Sequence, residues 1–256
     1  MRIATYNING INARLPRLLE WLAETQPDVA CLQEVKCVTE KFPVETMTEA
    51  GYHTLIQGQK GFNGIAILSK ECAIETQRGL PGDAGDEQSR YLEAEVAGVR
   101  IASIYLPNGN PQPGPKFDYK LAWMERLRLH AAGLLGLETP VVLSGDYNVI
   151  PTDDDVYSVS AMANDALTQP ESRAALRRII NQGWTDALRA RQPIGAIWTY
   201  WDYQAGAWQR DAGFRIDHLL LSPSAADRLV GAGVDKEHRG RERASDHAPT
   251  WVELRP

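Results

Sequence analysis

Short apolar runs of strand length recur along the chain, and they restrict the folds that are open to it. Helical patterns interrupt them at Leu15 to Leu22, before Pro27, and in the ranges 116–137 and 171–182. Many strands combined with few helices favour mixed sheets covered by helices over a regular strand–helix alternation. The predicted strands are residues 2–6, 29–32, 64–69, 91–96, 100–106, 141–144, 215–221 and 250–254.

No Gly/Ser-rich or Pro-rich linker divides the chain, so we predict one domain over residues 1–256. Hydrophobic residues form 43% of the composition, which is enough to bury a sizeable core. Residues 108–115 are expected to form a surface loop. The range 151–170 is the longest without clear periodicity, and loops of that size in compact domains are often functional.

The charge and the cysteines narrow the function classes. A formal net charge of −6 repels a polyanion, so binding of nucleic acid must rest on a local basic face or on bound cations. Cys31, Cys37 and Cys72 form no C-x-x-C pair, which argues against a disulfide framework or a zinc site and favours the cytoplasm. Neither a signal peptide nor an apolar stretch of membrane-spanning length is found, so no membrane association is expected.

Polar side chains able to bind a metal ion or a phosphate stand repeatedly at the ends of the apolar runs. Because strand ends at one edge of a sheet converge in space, residues distant in sequence can form one cluster there. Taken singly, Asn7 also fits a turn and Glu34 a solvated strand end. The predicted cluster contains Asn7, Glu34, Tyr105, Asp146, Asn148, Asp217, Asp246 and His247.

Two pairs within this cluster indicate chemistry. Asp217 interrupts an apolar run, where a charge is costly without a partner, and His247 can supply that partner. A carboxylate makes the imidazole easier to protonate, and the cationic ring can bind a phosphate oxygen. Asp146 and Asn148 project to the same side, so a proton acceptor lies beside a phosphate-binding amide. The alternatives are a purely structural Asp–His pair and an Asx turn before Pro151.

The ordered set of motifs resembles the exonuclease III family of abasic-site DNA endonucleases, within the endonuclease/exonuclease/phosphatase superfamily. The resemblance covers nearly the whole chain. It implies an α/β fold, a four-layer α/β sandwich of two packed mixed β-sheets flanked by helices, with the active site at one end of the sheets. The motifs are Asn7-Ile8-Asn9-Gly10, Leu32-Gln33-Glu34-Val35-Lys36, Gly58-Gln59-Lys60-Gly61, Tyr105-Leu106-Pro107-Asn108-Gly109, Gly145-Asp146-Tyr147-Asn148, Arg215-Ile216-Asp217 and Ser245-Asp246-His247-Ala248-Pro249.

The resemblance also implies a metal site. Glu34 would be the principal carboxylate ligand of Mg²⁺, with Mn²⁺ as the alternative ion, and Asn7 and Asp246 would help to hold the metal directly or through water. The metal would neutralise the leaving 3′ oxygen. Asn9 stands where some relatives have a second acidic residue, and Lys36 brings a cation close to Glu34. The amide at Asn9 argues against a two-metal arrangement, and Lys36 supplies a cation instead of another ligand.

The roles that the resemblance implies at the scissile phosphate fall to four further positions. Asp146 would align and deprotonate the attacking water, and Asn148 would fix the phosphate. His247, oriented by Asp217, would stabilise the negative charge of the transition state. Two more positions would assist, Tyr105 near the leaving group or phosphate and Asn108 as a phosphate contact.

Substrate selection is expected to use aromatic side chains. Tyr200, Trp201 and Phe214 fall in the region that resembles the family's pocket for an extruded abasic sugar, whereas Trp198 is assigned to the core. Lys116 is the predicted substrate-binding lysine. The wider group of basic candidates for phosphate contacts is Arg14, Lys60, Lys116, Lys120, Arg239, Arg241 and Arg243.

The sequence therefore predicts a metal-dependent DNA phosphodiesterase of base excision repair that cleaves 5′ to abasic sites, with 3′–5′ exonuclease and 3′-end-trimming activity. Its partner would be double-stranded DNA with abasic sites or 3′ ends, and the protein is expected to act as a monomer. One alternative is a superfamily phosphatase that acts on inositol phosphates or lipid headgroups. The other is a non-catalytic DNA-binding protein with a degenerate site.

Overall fold

The computed structural model describes residues 1–256 and contains twelve strands. The strands are β1 (Arg2–Asn7), β2 (Val29–Gln33), β3 (His53–Gln57), β4 (Ile65–Ser69), β5 (Ile74–Arg78), β6 (Tyr91–Val96), β7 (Val99–Tyr105), β8 (Val141–Asp146), β9 (Thr185–Asp186), β10 (Asp217–Leu221), β11 (Leu229–Val234) and β12 (Thr250–Leu254). The helices are α1 (Ile11–Thr25), α2 (Val44–Glu49), α3 (Pro115–Leu135), α4 (Pro170–Ile180), α5 (Ala187–Arg191) and α6 (Pro223–Ala226).

The strands form two six-stranded mixed sheets. The first has the order β11-β12-β1-β2-β4-β3 and the second the order β5-β6-β7-β8-β10-β9. One parallel pair lies inside each sheet, β1 with β2 and β7 with β8, and every other pairing of neighbouring strands is antiparallel. The chain therefore has the two mixed sheets that its sequence predicts.

The core is divided among the interfaces of a four-layer sandwich. Between the sheets, residues such as Ile3 and Cys31 pack with Ile101 and Val142 of the opposite sheet. On the outer face of the first sheet, α1 contributes Trp21 to a second cluster. A third cluster lies where α3 and α4 cover the second sheet. Since a sheet that is buried on both faces needs apolar side chains on each face, the sequences of the central strands are continuous apolar runs.

The predicted elements agree with the structure apart from their ends. All eight predicted strands are present, and the two long helical ranges correspond to α3 and α4. The strand predicted at 215–221 begins two residues late, because Arg215 leaves the ladder to form buried ion pairs with Asp155 and Asp186. The strand predicted at 141–144 continues through Gly145 to Asp146. None of the helices has the combination of length and apolar character that crossing a bilayer requires.

Four strands were not predicted. β3 and β5 are edge strands with partly or largely exposed side chains, so they lack a continuous apolar run. β9 has two residues, and β11 has the glycine-rich sequence LVGAGV. The short helices α2, α5 and α6 were also not predicted, since four to six residues cannot display a helical period.

Candidate active site

The sheet topology brings the predicted polar residues to one end of the sandwich. The parallel strands β1 and β2 of the first sheet end at Asn7 and Gln33, and the parallel strands β7 and β8 of the second end at Tyr105 and Asp146. β10 runs antiparallel to β8, which places its first residue, Asp217, opposite Asp146. β12 runs antiparallel to β1, so the segment before it returns to the same end. This convergence follows from strand direction alone.

Asn7 links two carboxylates at this end. Its side-chain nitrogen donates to Glu34 Oε1 at 2.9 Å and to Asp146 Oδ2 at 3.0 Å. The Tyr105 hydroxyl donates to the same Glu34 oxygen at 2.8 Å. Asn7 Oδ1 accepts the backbone N–H of Asn9, so it does not face the acids. In this arrangement Asn7 orients the acids, and its amide nitrogen is not a metal ligand.

Glu34 presents its other oxygen, Oε2, to a cation. The Lys36 ammonium lies 2.7 Å from that oxygen and donates to Asn9 Oδ1 at 2.5 Å. Burial raises the pKa of Glu34, but the Lys36 charge and the hydrogen bonds from Asn7, Lys36 and Tyr105 outweigh it, and the pKa is lowered. The carboxylate is therefore ionised at neutral pH. Glu34 has a positive φ of 52°, a strained conformation that turns it off the end of β2.

Asp246 completes this acidic side of the site. Its Oδ1 accepts hydrogen bonds from Asn9 Nδ2 at 3.0 Å and from Ser245 Oγ at 3.3 Å. One carboxylate, Glu34, and the amide oxygen of Asn9 thus hold the Lys36 ammonium group, and the Asn9 amide nitrogen links this point to the second carboxylate, Asp246. Hard oxygen donors of this kind suit Mg²⁺, which retains several waters and needs only one or two carboxylates. No cage of three or more acidic, histidine or cysteine ligands is present, which is compatible with such a sparsely ligated ion.

His247 and Asp217 form the buried pair that the sequence predicts. Nδ1 of His247 lies 2.8 Å from Asp217 Oδ2, and its Nε2 lies 3.8 Å from Asp146 Oδ2. Burial alone lowers the pKa of an imidazole, but the charge and hydrogen bond of Asp217, with the charges of Asp146 and Asp246, raise the pKa of His247 to about 10. The ring is consequently a cation at neutral pH, and its Nε2–H side faces the acid that would activate water.

Asp146 combines burial with a defined orientation. Desolvation raises its pKa to about 7, against the opposing effects of His247 and of the Asn7 hydrogen bond. Its Oδ1 accepts the backbone N–H of Asn148 at 2.9 Å, while Oδ2 accepts from Asn7. A carboxyl group with a pKa near neutrality is suited to accept a proton and release it again.

Two amides from neighbouring loops form a pair beside Asp146. Asn108 Nδ2 donates to Asn148 Oδ1 at 3.0 Å, and Asn148 Nδ2 donates to the backbone carbonyl of Leu106 at 2.9 Å. An amide nitrogen carries two hydrogens, so each nitrogen keeps one hydrogen for a further acceptor. Both residues line the cavity.

The site opens into a cavity of about 300 Å³. One wall carries the polar residues Glu34, Tyr105, Asn108, Asp146, Asn148, Asp246 and His247. The other wall is largely apolar, with Met162, Leu167, Tyr200, Phe214 and Ile216 and with the acids Asp165 and Asp202. The Tyr200 ring packs 4.6 Å from Phe214 and 5.0 Å from the His247 ring, between centroids. The aromatic wall therefore touches the polar cluster directly.

Trp201, predicted as part of this wall, lies elsewhere. It is fully buried, its indole N–H donates to Asp211 at 2.9 Å, and its ring packs against Trp208. Tyr200 forms isolated bridges with Phe214 and His247, and adjacent side chains of an extended segment point to opposite sides. Trp201 therefore packs behind the wall, while Tyr200 and Phe214 line the cavity. Trp198, assigned to the core, is only partly buried.

The predicted basic residues divide into two groups. Lys116 is exposed on the first turn of α3 and does not line the cavity. Lys120 is buried, Arg239 donates to the carbonyl of Trp201, and Arg241 pairs with Glu24. Lys120 and Arg239 are buried with their side chains on backbone carbonyls, so the prediction of phosphate contacts is wrong for these two, whereas it stays a prediction for the partly exposed Arg241. The exposed members of the group are Lys60, Lys116 and Arg243, and Arg14 donates to the exposed Tyr203 hydroxyl.

Sequence reasoning missed the contribution of residues 151–170 to the cavity wall. Met162 and Leu167 pack with Phe214 in a small apolar cluster, and Asp165 is held by Asn110 at 3.0 Å. The sequence signal for this wall was a few isolated apolar residues in a polar stretch. These residues show no hydrophobic periodicity, because the loop does not follow a regular helix or strand.

Comparison with known proteins gives one consistent family. The profile described as Endonuclease/Exonuclease/phosphatase family matches residues 4–247. Exodeoxyribonuclease III of Haemophilus influenzae is 33% identical over 267 aligned positions that cover 100% of both chains. A structure of a 3′ phosphatase from Neisseria bound to a product DNA hairpin has a TM-score of 0.97 and 37% identity, over 100% of this chain and 99% of that one. An AP endonuclease from Archaeoglobus fulgidus has a TM-score of 0.95 and 36% identity, over 99% of each chain.

Proposed function

Because the chain belongs to the endonuclease/exonuclease/phosphatase family, and within it to the exonuclease III family, we propose that it hydrolyses DNA phosphodiester bonds 5′ to abasic sites and at 3′ ends. The observation that carries the proposal is the cationic His247, held by Asp217 within 3.8 Å of Asp146. A proton acceptor and a phosphate-binding cation thus face the same small volume. Such a pair can act on the two sides of one phosphorus centre.

The residues divide the reaction between them. Asp146 takes a proton from the attacking water, and Asn7 and the Asn148 N–H hold both of its oxygens in position. The imidazolium of His247 and the free amide hydrogens of Asn108 and Asn148 bind the non-bridging phosphate oxygens. Since these donors are fixed before substrate arrives, they stabilise the growing charge without reorganisation.

Glu34 and Asp246 would hold Mg²⁺, or Mn²⁺ as the alternative, with Asn7 orienting Glu34 through its amide. Family enzymes are metal-dependent. When bound, the ion supplies charge neutralisation at the leaving 3′ oxygen. The Tyr105 hydroxyl, which donates to Glu34, would hold that carboxylate in position for the metal.

The apolar wall selects the substrate. Tyr200, Phe214, Leu167 and Met162 supply the apolar part of the cavity lining. A sugar without its base fits against such a wall, whereas an attached base needs additional room. The Neisseria and Archaeoglobus relatives act on 3′ phosphates and on abasic DNA respectively, as their names state. Both substrates place a phosphate beside a terminal or base-free sugar.

The decisive experiment offers the protein a duplex with one abasic analogue and a plain duplex with a recessed 3′ end, each with Mg²⁺ or with excess chelator. We expect incision 5′ to the analogue and slower shortening of the 3′ end, both abolished by chelator. Asp146→Asn is expected to lower kcat by about 10²–10⁴-fold, the usual contribution of a general base. A parallel assay measures release of phosphate from inositol phosphates.

Two outcomes would contradict the proposal. Activity on inositol phosphates without any cleavage of DNA would assign the protein to the phosphatase branch of the superfamily. Tight binding of DNA without cleavage would indicate a degenerate site. We expect the protein to work as a cytoplasmic monomer with double-stranded DNA as its partner. Sedimentation with and without a short abasic duplex tests the oligomeric state and the binding of DNA.

A further inference from the structure

A buried lysine lies directly beneath the phosphate-binding amides. Lys120, in the second turn of α3, is 0% exposed and is the only lysine of the chain that is buried. Lysine is rarely buried without a partner, because removing an ammonium group from water is costly. No carboxylate lies within ion-pair distance of it. The side chain therefore requires another explanation than pairing with an acid.

Two backbone carbonyls are the partners of this ammonium group. Lys120 Nζ donates to the carbonyl oxygen of Asn108 at 2.9 Å and to that of Asn148 at 2.5 Å. The first carbonyl belongs to the loop after β7 and the second to the loop after β8. Burial lowers the pKa of Lys120 to about 7, with the charges of Asp146 and Asp165 acting in the opposite direction. One side chain thus ties together the two loops that carry the amide pair.

The surrounding backbone is shaped to this lysine. A Cβ at Gly109 would lie 2.6 Å from Lys120 Cδ, so only glycine lets the loop pass so close. Gly109 has a φ of 93° and Asn148 a φ of 48°, both in the left-handed region. Strained backbone persists where its surroundings over-determine it. Here the ammonium group and the Asn108–Asn148 hydrogen bond over-determine the two loop ends.

We propose that Lys120 is a positioning residue that fixes the Asn108 and Asn148 amides in the geometry that binds the scissile phosphate. This inference rests on the proposed function, because it assigns those amides to the phosphate. Lys120 does not touch the substrate. It acts through the carbonyls of the residues that do, and it stabilises their relative position before DNA binds.

The consequence for catalysis follows from preorganisation. Without the ammonium group, both carbonyls lose their donor and the two loops can shift relative to each other. A displacement of about 1 Å at a reacting group can reduce the rate about a hundredfold. Because phosphate contacts outside the cavity also position a bound duplex, the loss is expected to fall on kcat more than on KM.

The test compares Lys120→Met, Asn148→Ala and the double variant on the abasic duplex with Mg²⁺. We expect Lys120→Met to lower kcat about 10–100-fold while KM changes less than about threefold. In the Asn148→Ala background the same change should cost less than in the wild type, because one of the two amides through which Lys120 acts is already absent. Lys70→Met is the matched control: Lys70 also donates to a carbonyl, that of Gln26 at 2.7 Å, but it is exposed at the opposite end of the first sheet.

A second readout does not depend on activity. The side-chain amide resonances of Asn108 and Asn148, assigned by Asn→Ala variants, should move or broaden in Lys120→Met and stay unchanged in Lys70→Met. If the wild-type protein cleaves no DNA, the proposed function is wrong, and these resonances still decide the positioning role. Where Lys120→Met does not fold, as thermal melting reports, Lys120→Gln keeps an amide donor and takes its place.

Two results overturn the inference. One is a full and independent loss of kcat when Lys120→Met is added to Asn148→Ala. The other is an amide spectrum that Lys120→Met leaves unchanged while the protein merely melts at a lower temperature, which would make Lys120 a structural residue only.

Discussion

At the scale of single residues, His247 depends on the carboxylate behind it. Asp217 uses Oδ2 for His247 Nδ1, and its Oδ1 is buried without a hydrogen-bond partner. A buried carboxylate with a free oxygen is costly unless its charge is compensated, and the imidazolium supplies that compensation. A purely structural Asp–His pair would leave the far side of the ring packed in the core. Here the ring lines the cavity.

We expect Asp217→Asn to lower the pKa of His247 from its value of about 10, because removal of an adjacent opposite charge shifts a pKa by about 1–3 units. The measurement is an NMR titration of the imidazole nitrogens, with the exposed ring of His53 as internal reference. Cleavage at high pH should weaken in parallel, as the neutral ring binds phosphate less well. An unchanged titration curve for His247 would show that Asp217 does not set its charge.

The residues that sequence reasoning assigned wrongly share a physical cause. Trp201 and Tyr200 are adjacent aromatics in a pattern that suggests one pocket, but alternation in an extended segment sends only Tyr200 to the cavity. Lysine is a residue type that is normally exposed, but Lys120 is buried by two loops that are distant from each other in sequence. By contrast, Glu34, Asp146 and His247 could be predicted, because the ends of apolar strands locate them.

At the scale of elements, the site depends on how closely β8 approaches its parallel neighbour β7. A Cβ added at Gly145 would lie 2.0 Å from the carbonyl oxygen of Ile104, a backbone atom that cannot move alone. Gly145 precedes Asp146, so this contact also sets where the Asp146 carboxylate leaves the strand. Glycine is required here because of the short distance between the two strands and not because of backbone conformation, since the φ of Gly145 is not in the left-handed region.

Gly145→Ala is therefore expected to lower the free energy of unfolding by more than about 3 kcal/mol, as overpacking against backbone is among the severe classes of substitution. Gly133→Ala is the matched control. Gly133 lies in α3 with no atom within 4 Å of an added Cβ, and the change should raise the unfolding free energy by about 0.5–1 kcal/mol. Urea denaturation measures both. Equal effects of the two substitutions would mean that β7 and β8 can separate at low cost.

Glu93 joins three strands and a helix through one buried carboxylate. It accepts hydrogen bonds from Thr76 of β5, Tyr91 of β6 and Arg100 of β7, and it contacts His130 of α3. Burial raises its pKa, but these partners outweigh the effect and lower the pKa from 4.5 to about 2. The ionised form is therefore stabilised in the folded protein relative to the unfolded chain.

A lowered folded-state pKa gives stability that is present above the unfolded pKa and is lost as the pH falls through the folded value. For Glu93 this window runs from about 4.5 down to about 2. A shift of this size corresponds to about 3 kcal/mol. Glu93→Gln should unfold more easily than wild type above pH 5, and the difference should shrink toward pH 2. Denaturation at a series of pH values checks this, and a constant difference would exclude ionisation as the cause.

The elements that sequence could predict are those with an unambiguous apolar signal. The central strands β1, β2, β7 and β8 are buried on both faces, so they appear as continuous apolar runs and their ends locate the site. The edge strand β5 exposes Ile74 and most of its other side chains, which removes that signal. The hydrophobic pattern of a sequence reports which side chains are buried. Where a strand is largely exposed, as β5 is, its structure is set by hydrogen bonds to the neighbouring strand, which the pattern does not show.

At the scale of the whole molecule, a net charge of −6 coexists with a polyanionic substrate. Five acids line the cavity, and exposed cations such as Lys60 and Arg243 lie outside it. Attraction to DNA must then come from a few local contacts, and it should be sensitive to salt because each neutralised phosphate releases counterions.

Lys60→Ala is expected to weaken binding of an abasic duplex and to make the slope of log K against log salt less steep by about 0.9, the contribution of one phosphate contact. Fluorescence anisotropy over a range of KCl concentrations, with chelator present to prevent cleavage, gives both quantities. Lys41→Ala, which removes another exposed lysine of the chain, is the control and should keep the wild-type slope. Parallel lines for all three proteins would place Lys60 outside the DNA interface.

The position of β12 between β11 and β1 has a consequence for biosynthesis. Asn7 and Glu34 leave the ribosome more than two hundred residues before Asp246 and His247, so a growing chain lacks these last two residues of the site for most of its translation. Until β12 arrives, β1 has an unpaired edge and the first sheet is split into two parts. Insertion of this strand closes the sheet and brings Asp246 and His247 to the cavity in the same event, so the candidate site is complete only once the first sheet is complete.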